Sequence, residues 1–125
     1  MPPTLKVEIT HANETTVIRL IGEARLDIED AAFQLDRVVA FHPRSVVVDV
    51  SQLTFLSSIG MSLLLNLRRT VSHVGGKVKL VGIQPLVKNA MEHARLLELF
   101  ELHADLAGAR AADPAAPVTG AAAVA

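Results

Sequence analysis

The sequence contains no cysteine, tryptophan or tyrosine, and each absence removes a class of chemistry. Without cysteine there is no disulfide, no thiolate nucleophile and no Cys-ligated metal. With aromatics at 3%, the core must be built from Val, Leu, Ile and Ala, and platforms for stacking bases or sugars are missing. Charge of either sign is not in excess: the formal net charge is -1. No basic run offers the face that displaces counterions from phosphates, so no nucleic-acid partner is expected. The opening residues MPPTLKVEIT lack the charged stretch and apolar segment of a signal peptide. No apolar run approaches the roughly 20 residues that cross a bilayer. A cytoplasmic protein without direct membrane insertion is the expectation.

What is present is hydrophobicity: half of the 125 residues, in a chain of one domain's length. LKVEITHA alternates apolar and polar residues as a half-wet strand does, and TTVIRLIGEA follows after Asn13-Glu14, which suggests a hairpin. LDIEDAAFQLDRVVAF (26–41) reads as a helix capped by Asp27, with Glu29 and Asp30 in its positive first turn. Ala31, Leu35 and Val38 share a face there, and Pro43 closes the segment. SVVVDV is apolar almost throughout, the pattern of a strand covered on both faces. Strand and helix then alternate. A helix from about Ile59 to Val74 ends at Gly75-Gly76. The strand KVKLVGI follows, then the helix QPLVKNAMEHARLL opened by Pro85, with Val87, Ala90, Met91 and Ala94 on one side. LFELHA reads as a short last strand and DLAGARAA as a last helical piece. The pattern predicts an α/β fold: a mixed sheet of about four to five strands, an N-terminal hairpin followed by parallel βαβ units, with helices packed on it. Residues 1–112 form the expected domain. Residues 113–125, DPAAPVTGAAAVA, have no apolar spacing a core could use and read as a disordered tail.

The seam FLSSIGMSLLL (55–65) sets two hydroxyls, Ser57 and Ser58, between an apolar strand and a helix. A serine at a helix start accepts a hydrogen bond from a first-turn N–H, worth about 1 kcal/mol. One serine is enough for that. The seam also lies past the C-terminal end of a buried strand, where open α/β sheets place their function. A phosphoryl group there would meet free N–H groups and the positive end of the helix, and would add about 1.5 to 2 negative charges. On the helical wheel Leu63, Leu64, Leu67, Val71 and Val74 form the core stripe, and Ser62, Asn66, Arg69 and His73 lie opposite. Met61 and Leu65 fit neither group. They form either a partner surface or the place where a neighbouring helix widens the buried face.

Catalysis by the chain itself is not expected. FLSSIG lacks the first glycine of Gly-x-Ser-x-Gly, and none of His11, His42, His73, His93 and His103 has an evident acidic orienter in sequence. No His-x-x-x-His spacing, Gly-x-Gly-x-x-Gly or Walker sequence occurs, so neither metal nor nucleotide nor other cofactor is implied. Asp49 reads first as a structural acceptor for loop N–H groups.

VVVDVSQLTFLSSIGMSLLL resembles the phosphorylation-site segment of anti-sigma factor antagonists, which are STAS domains: an apolar strand with Asp and Ser, a short link, Ser-Ser-x-Gly, then a Leu-rich helix. LIGEARLD resembles the family's Gly-Glu-Leu-Asp loop, and GGKVKLVGIQPLVKNAMEHARLLELFEL its later strand, helix and strand, so the likeness spans about 5–112. The resemblance implies a STAS-like sheet and a partner-switching regulator of transcription. Ser58 takes the place of the phosphorylated serine, with Ser57 as the competing acceptor. Asp49 and Ser51 match strand-end positions that support the site. Asp27, Ser57, Ser58, Gly60, Met61 and Leu65 are the implied partner-binding residues. The implied partners are an anti-sigma factor that is also a serine kinase, and a phosphatase. The chain departs from the pattern at Ser57, where Asp often stands, at Ile59 and Ser62, and in a loop two residues longer than the simple one. A STAS adaptor subunit of a lipid-transport or signalling scaffold complex would use the same surface without phosphorylation.

Overall fold

The computed structural model describes residues 5–12, 15–25, 28–41 and 43–111. In chain order these form β1 (Leu5–Ala12), β2 (Thr15–Ala24), α1 (Glu29–Asp36), a 3-10 turn over Arg37–Phe41, β3 (Ser45–Leu56) and α2 (Ser58–His73). There follow β4 (Lys77–Val81), α3 (Pro85–His93), a 3-10 turn at Leu97–Leu99, β5 (Glu101–His103) and α4 (Leu106–Ala111). The expected tail lies outside the described residues, as do Asp27 and His42.

Five strands make one sheet in the order β1-β2-β3-β4-β5. β1 and β2 are the antiparallel hairpin, and every later neighbour is parallel, as the alternation of strand and helix predicts. The period-2 pleat puts Ile18 and Leu20 of β2, Val46, Val48 and Val50 of β3, and Val78 and Leu80 of β4 on one face. Against them pack Ala31 and Leu35 of α1, Leu63, Leu64, Leu67 and Val71 of α2, and Val87 and Met91 of α3, all in one buried cluster. Each fully buried side chain of this size contributes about 1.5 to 3 kcal/mol, so this face is the main source of stability. Among the described residues the opposite face carries only α4, over a small cluster of Val47, Val81 and Ala109. Lys79 lies beneath α4, 1% exposed, and its Nζ donates to the Ala109 carbonyl at 2.8 Å.

Four expectations change. β3 runs six residues past Val50, to Leu56. Two register shifts against β2, between Arg19 and Ile21 and between Gly22 and Glu23, each insert one extra residue in β3. The core-facing positions therefore step from Val50 to Leu53 to Leu56, a period of three that alternation cannot reveal. The helix read over 26–41 is α-helical only to Asp36, and its cap position is Ile28, which makes no side-chain cap bond. The β-branched pair Val38-Val39 falls in the tighter 3-10 turn that follows. Val74 leaves the core stripe and is half exposed, because as the cap residue of α2 its backbone departs from the helix. Ala94, the last member of the predicted α3 side, is exposed beyond the end of that helix.

Candidate functional site

The chain leaves the sheet at Leu56 and enters α2 within two residues, and the two serines of this passage have separate fates. Ser57 is the N-cap, in extended conformation (φ -78, ψ 171). Its Oγ accepts from the Gly60 N–H at 3.1 Å and donates to the Arg25 carbonyl at 2.9 Å, while its own N–H donates to the Ala24 carbonyl at 2.9 Å. Both capacities of this hydroxyl are used inside the fold. Ser58 is the first residue of α2 and is exposed, and its hydroxyl has no hydrogen-bond partner among the described residues. The first N–H groups of a helix have no intrahelical acceptor and carry the positive end of its dipole. Ser58 thus presents a free hydroxyl beside a patch suited to negative charge.

Gly60 holds this arrangement in place. A Cβ there would sit 2.8 Å from Ala24 Cβ and 2.8 Å from Leu56 Cδ1. Only the missing side chain lets the first turn of α2 lie on the ends of β2 and β3. The residue is buried and makes its close contacts within the fold. Met61 and Leu65 are half buried, and Met61 packs against the main core.

The surface beside Ser58 also holds apolar groups that the sequence reading passed over. Ile59 is 45% exposed and Phe55 36% exposed, and the Arg25 guanidinium lies 4.9 Å above the Phe55 ring. Arg25 Nε also bonds Glu23 Oε1 at 2.7 Å, and this hydrogen bond and charge hold the Glu23 carboxyl below its ordinary range. The signal for Ile59 was available. It heads the polar stripe of Ser62, Asn66, Arg69 and His73, where an isoleucine has no core to face. Asp27 lies outside the described residues.

Asp49 and Ser51 stand elsewhere than expected. They belong to the interior of the lengthened β3 and flank its first bulge. Asp49 Oδ1 accepts from the Ser51 N–H at 2.9 Å and from the Ser51 hydroxyl at 2.6 Å, and Oδ2 lies 3.5 Å from Arg19 Nε. Gln84 Nε2 donates to the Ser51 carbonyl at 2.6 Å, and Gly82 (φ +70) passes so close that a Cβ would lie 2.7 Å from Ser51 Cβ. The pair fixes the bulge and the approach to α3. It does not touch the seam through any of these bonds.

The described histidines do not converge. His103 Nε2 bonds Glu101 Oε1 at 2.8 Å, an acidic orienter two residues away that the sequence reading missed, but both sit on β5, two strands from β3. His11 bonds Thr16 and His93 bonds the Asn89 carbonyl. Among the described residues there is no cluster of three or more His, Asp or Glu side chains that could hold a metal, and no helix is long and apolar enough to cross a membrane.

Residues 5–109 match the STAS domain family. An anti-sigma factor antagonist from Mycobacterium paratuberculosis has a similar solved structure, with 23% identity, 90% of this chain and 96% of that chain covered, and a TM-score of 0.78. The Bacillus cell fate determinant SpoIIAA in its phosphorylated form is similar at 20% identity, covering 87% of this chain and 99% of that one, with a TM-score of 0.65. The anti-sigma factor antagonist SpoIIAA in its unphosphorylated form matches at 23% identity over 81% and 89% of the two chains, with a TM-score of 0.63.

Proposed function

The chain belongs to the STAS domain family, and from that premise we propose that it is an anti-sigma factor antagonist switched by phosphorylation of Ser58. The observation that carries the reading is the division of labour between the serines. Ser57 both donates and accepts within the fold, while Ser58 is exposed and its hydroxyl has no hydrogen-bond partner among the described residues. That SpoIIAA has been solved with and without its phosphoryl group supports the view that this architecture tolerates the modification.

In the unmodified state the protein docks on an anti-sigma factor that is a serine kinase, through Ser58, Ile59, Phe55 and the half-buried Met61 and Leu65. The segment that carries Asp27 joins β2 to α1 and adjoins Arg25. Docking releases a sigma factor in the cytoplasm. The kinase then supplies ATP and the base. The Ser58 Oγ–P bond forms as the bond from Pγ to the bridging oxygen breaks, ADP leaves, and the hydroxyl proton passes to the partner's base. Within the chain the new charge is favoured by the N-terminus of α2. Against a docked partner it must be desolvated next to Ile59 and Phe55, which is costly without a pairing cation. The complex dissociates, and a phosphatase resets it. Ser58 is the substrate of this cycle.

The test is incubation with the cognate kinase and ATP, followed by location of the phosphate by mass spectrometry. The expected product carries it on Ser58, and Ser58→Ala carries none. In titration calorimetry Ser58→Ala binds the kinase as the wild type does, and Ser58→Asp binds at least about tenfold more weakly. Equal binding of both variants to every candidate partner would reject the switch and leave a static adaptor.

A further inference from the structure

β1 is an edge strand, eight residues long, with no strand beyond it among the described residues. Alternate residues of such a strand point N–H and C=O groups outward and offer a template for another strand. Its two rows of side chains differ. On the helix-covered face Leu5 is buried, and Val7 and Ile9 are half buried against the core. On the other face a row of charges crosses the sheet. Asp49 Oδ2 lies 3.5 Å from Arg19 Nε, and Arg19 Nη1 lies 3.5 Å from Glu8 Oε1. Negative, positive and negative follow in turn from β3 through β2 to β1, and there the row ends. Lys6, 3.4 Å from Glu8 and mostly exposed, is the next charge along the strand.

We propose that this edge is completed by β1 of a second copy of the chain, paired antiparallel about a two-fold axis beside Val7. In an antiparallel pair, side chains keep to their own faces only when the two residue numbers add to an even number. A pairing centred on Lys6 sets Lys6 against itself, and one centred on Glu8 sets Glu8 against itself. One centred on Ile9 leaves both charges opposite uncharged residues. The pairing centred on Val7 sets Lys6 of each copy opposite Glu8 of the other, Leu5 opposite Ile9, and Val7 opposite Val7. The alternation of charge then continues across the joint. β5, the other edge, is only three residues long, so head-to-tail addition has little to grip and the isologous pair closes on itself. The joined β1 strands run in opposite directions, so the two Ser58 seams end at opposite ends of the shared sheet and both stay open to partners.

Sedimentation equilibrium of the full chain over a wide concentration range tests this. The wild type is expected to form a dimer. Lys6→Glu and Glu8→Lys, each placing two like-charge pairs across the joint, weaken it about tenfold or more. An equimolar mixture of those two variants restores the dimer, because each introduced charge then meets its opposite. Lys6→Gln, on an exposed side chain that leaves the Glu8–Arg19 pair in place, shows a smaller loss with the fold intact by circular dichroism, and separates the joint from any disturbance that Glu8→Lys causes at Arg19. A wild type that stays monomeric at every concentration, a dimer that all three variants leave intact, or a mixture no tighter than its components overturns the proposal.

Discussion

From Ser45 to Asp49, β3 runs between β2 and β4 and buries side chains on both faces, whereas from Gln52 to Leu56 β2 is its only strand neighbour among the described residues and it buries every third residue. The first half has two strand neighbours and a regular pleat, so it is held wherever it is touched. The second half is pinned at Leu53 and Leu56 and turns Gln52, Thr54 and Phe55 outward. Its two bulges trade ladder regularity for exposure, and they do so in the stretch that delivers the chain to Ser58. The molecule thus keeps its stability and its proposed contact surface on successive lengths of one strand.

The comparison can be sharpened by substitution. Leu53→Ala removes a fully buried anchor of the bulged half and is expected to cost about 2 to 5 kcal/mol in urea unfolding. Its exposed neighbour Gln52→Ala should stay within about 0.5 kcal/mol. Equal costs at the two sites would mean that the bulged half is not pinned in this way. Gly60→Ala forces a methyl group onto Ala24 and Leu56. A net loss of about 1 to 3 kcal/mol from overpacking is expected despite alanine's better helix propensity, with weaker kinase binding as α2 shifts. Ser57→Ala removes the cap and should lower stability by about 1 kcal/mol, while Ser58→Ala, at a hydroxyl with no partner among the described residues, should change it by less than about 0.5 kcal/mol. Thermal melts of the two variants compare the serines directly.

The smallest expected effect concerns acid. Arg25 holds the Glu23 carboxyl below its ordinary range, so the ion pair's contribution is fully present above the unfolded carboxylate value of about 4.3 and is lost as pH falls through the lower folded value. The melting temperature of the wild type should exceed that of Glu23→Gln slightly at neutral pH, and the gap should close in acid. A gap that widens below pH 4 would contradict the direction of the shift.

Much of this was legible in the residues. The hairpin bounds and the apolar run SVVVDV follow from alternation and from its absence, and the helix from Ile59 onward follows from its leucine stripe. What escaped was whatever depends on a neighbour. SQLTFL could not be read as strand because its burial has period three, set by register with β2. Lys79 stood in an apolar strand, and only the placement of α4 shows how its charge is met. The second bond that holds the Ser57 hydroxyl inside the fold goes to the Arg25 carbonyl, 32 residues earlier in sequence, which no local pattern contains. Ile59 could have been found from its place on the polar stripe.

The lysine under α4 has one further consequence. Its ammonium group is buried at the centre of the sheet's sparsely covered face, and the carbonyl that receives it belongs to Ala109. A chain cut just short of that residue would strand a cation among valines with its acceptor gone. Removing the six-residue α4 and all that follows it should therefore loosen the middle of the sheet.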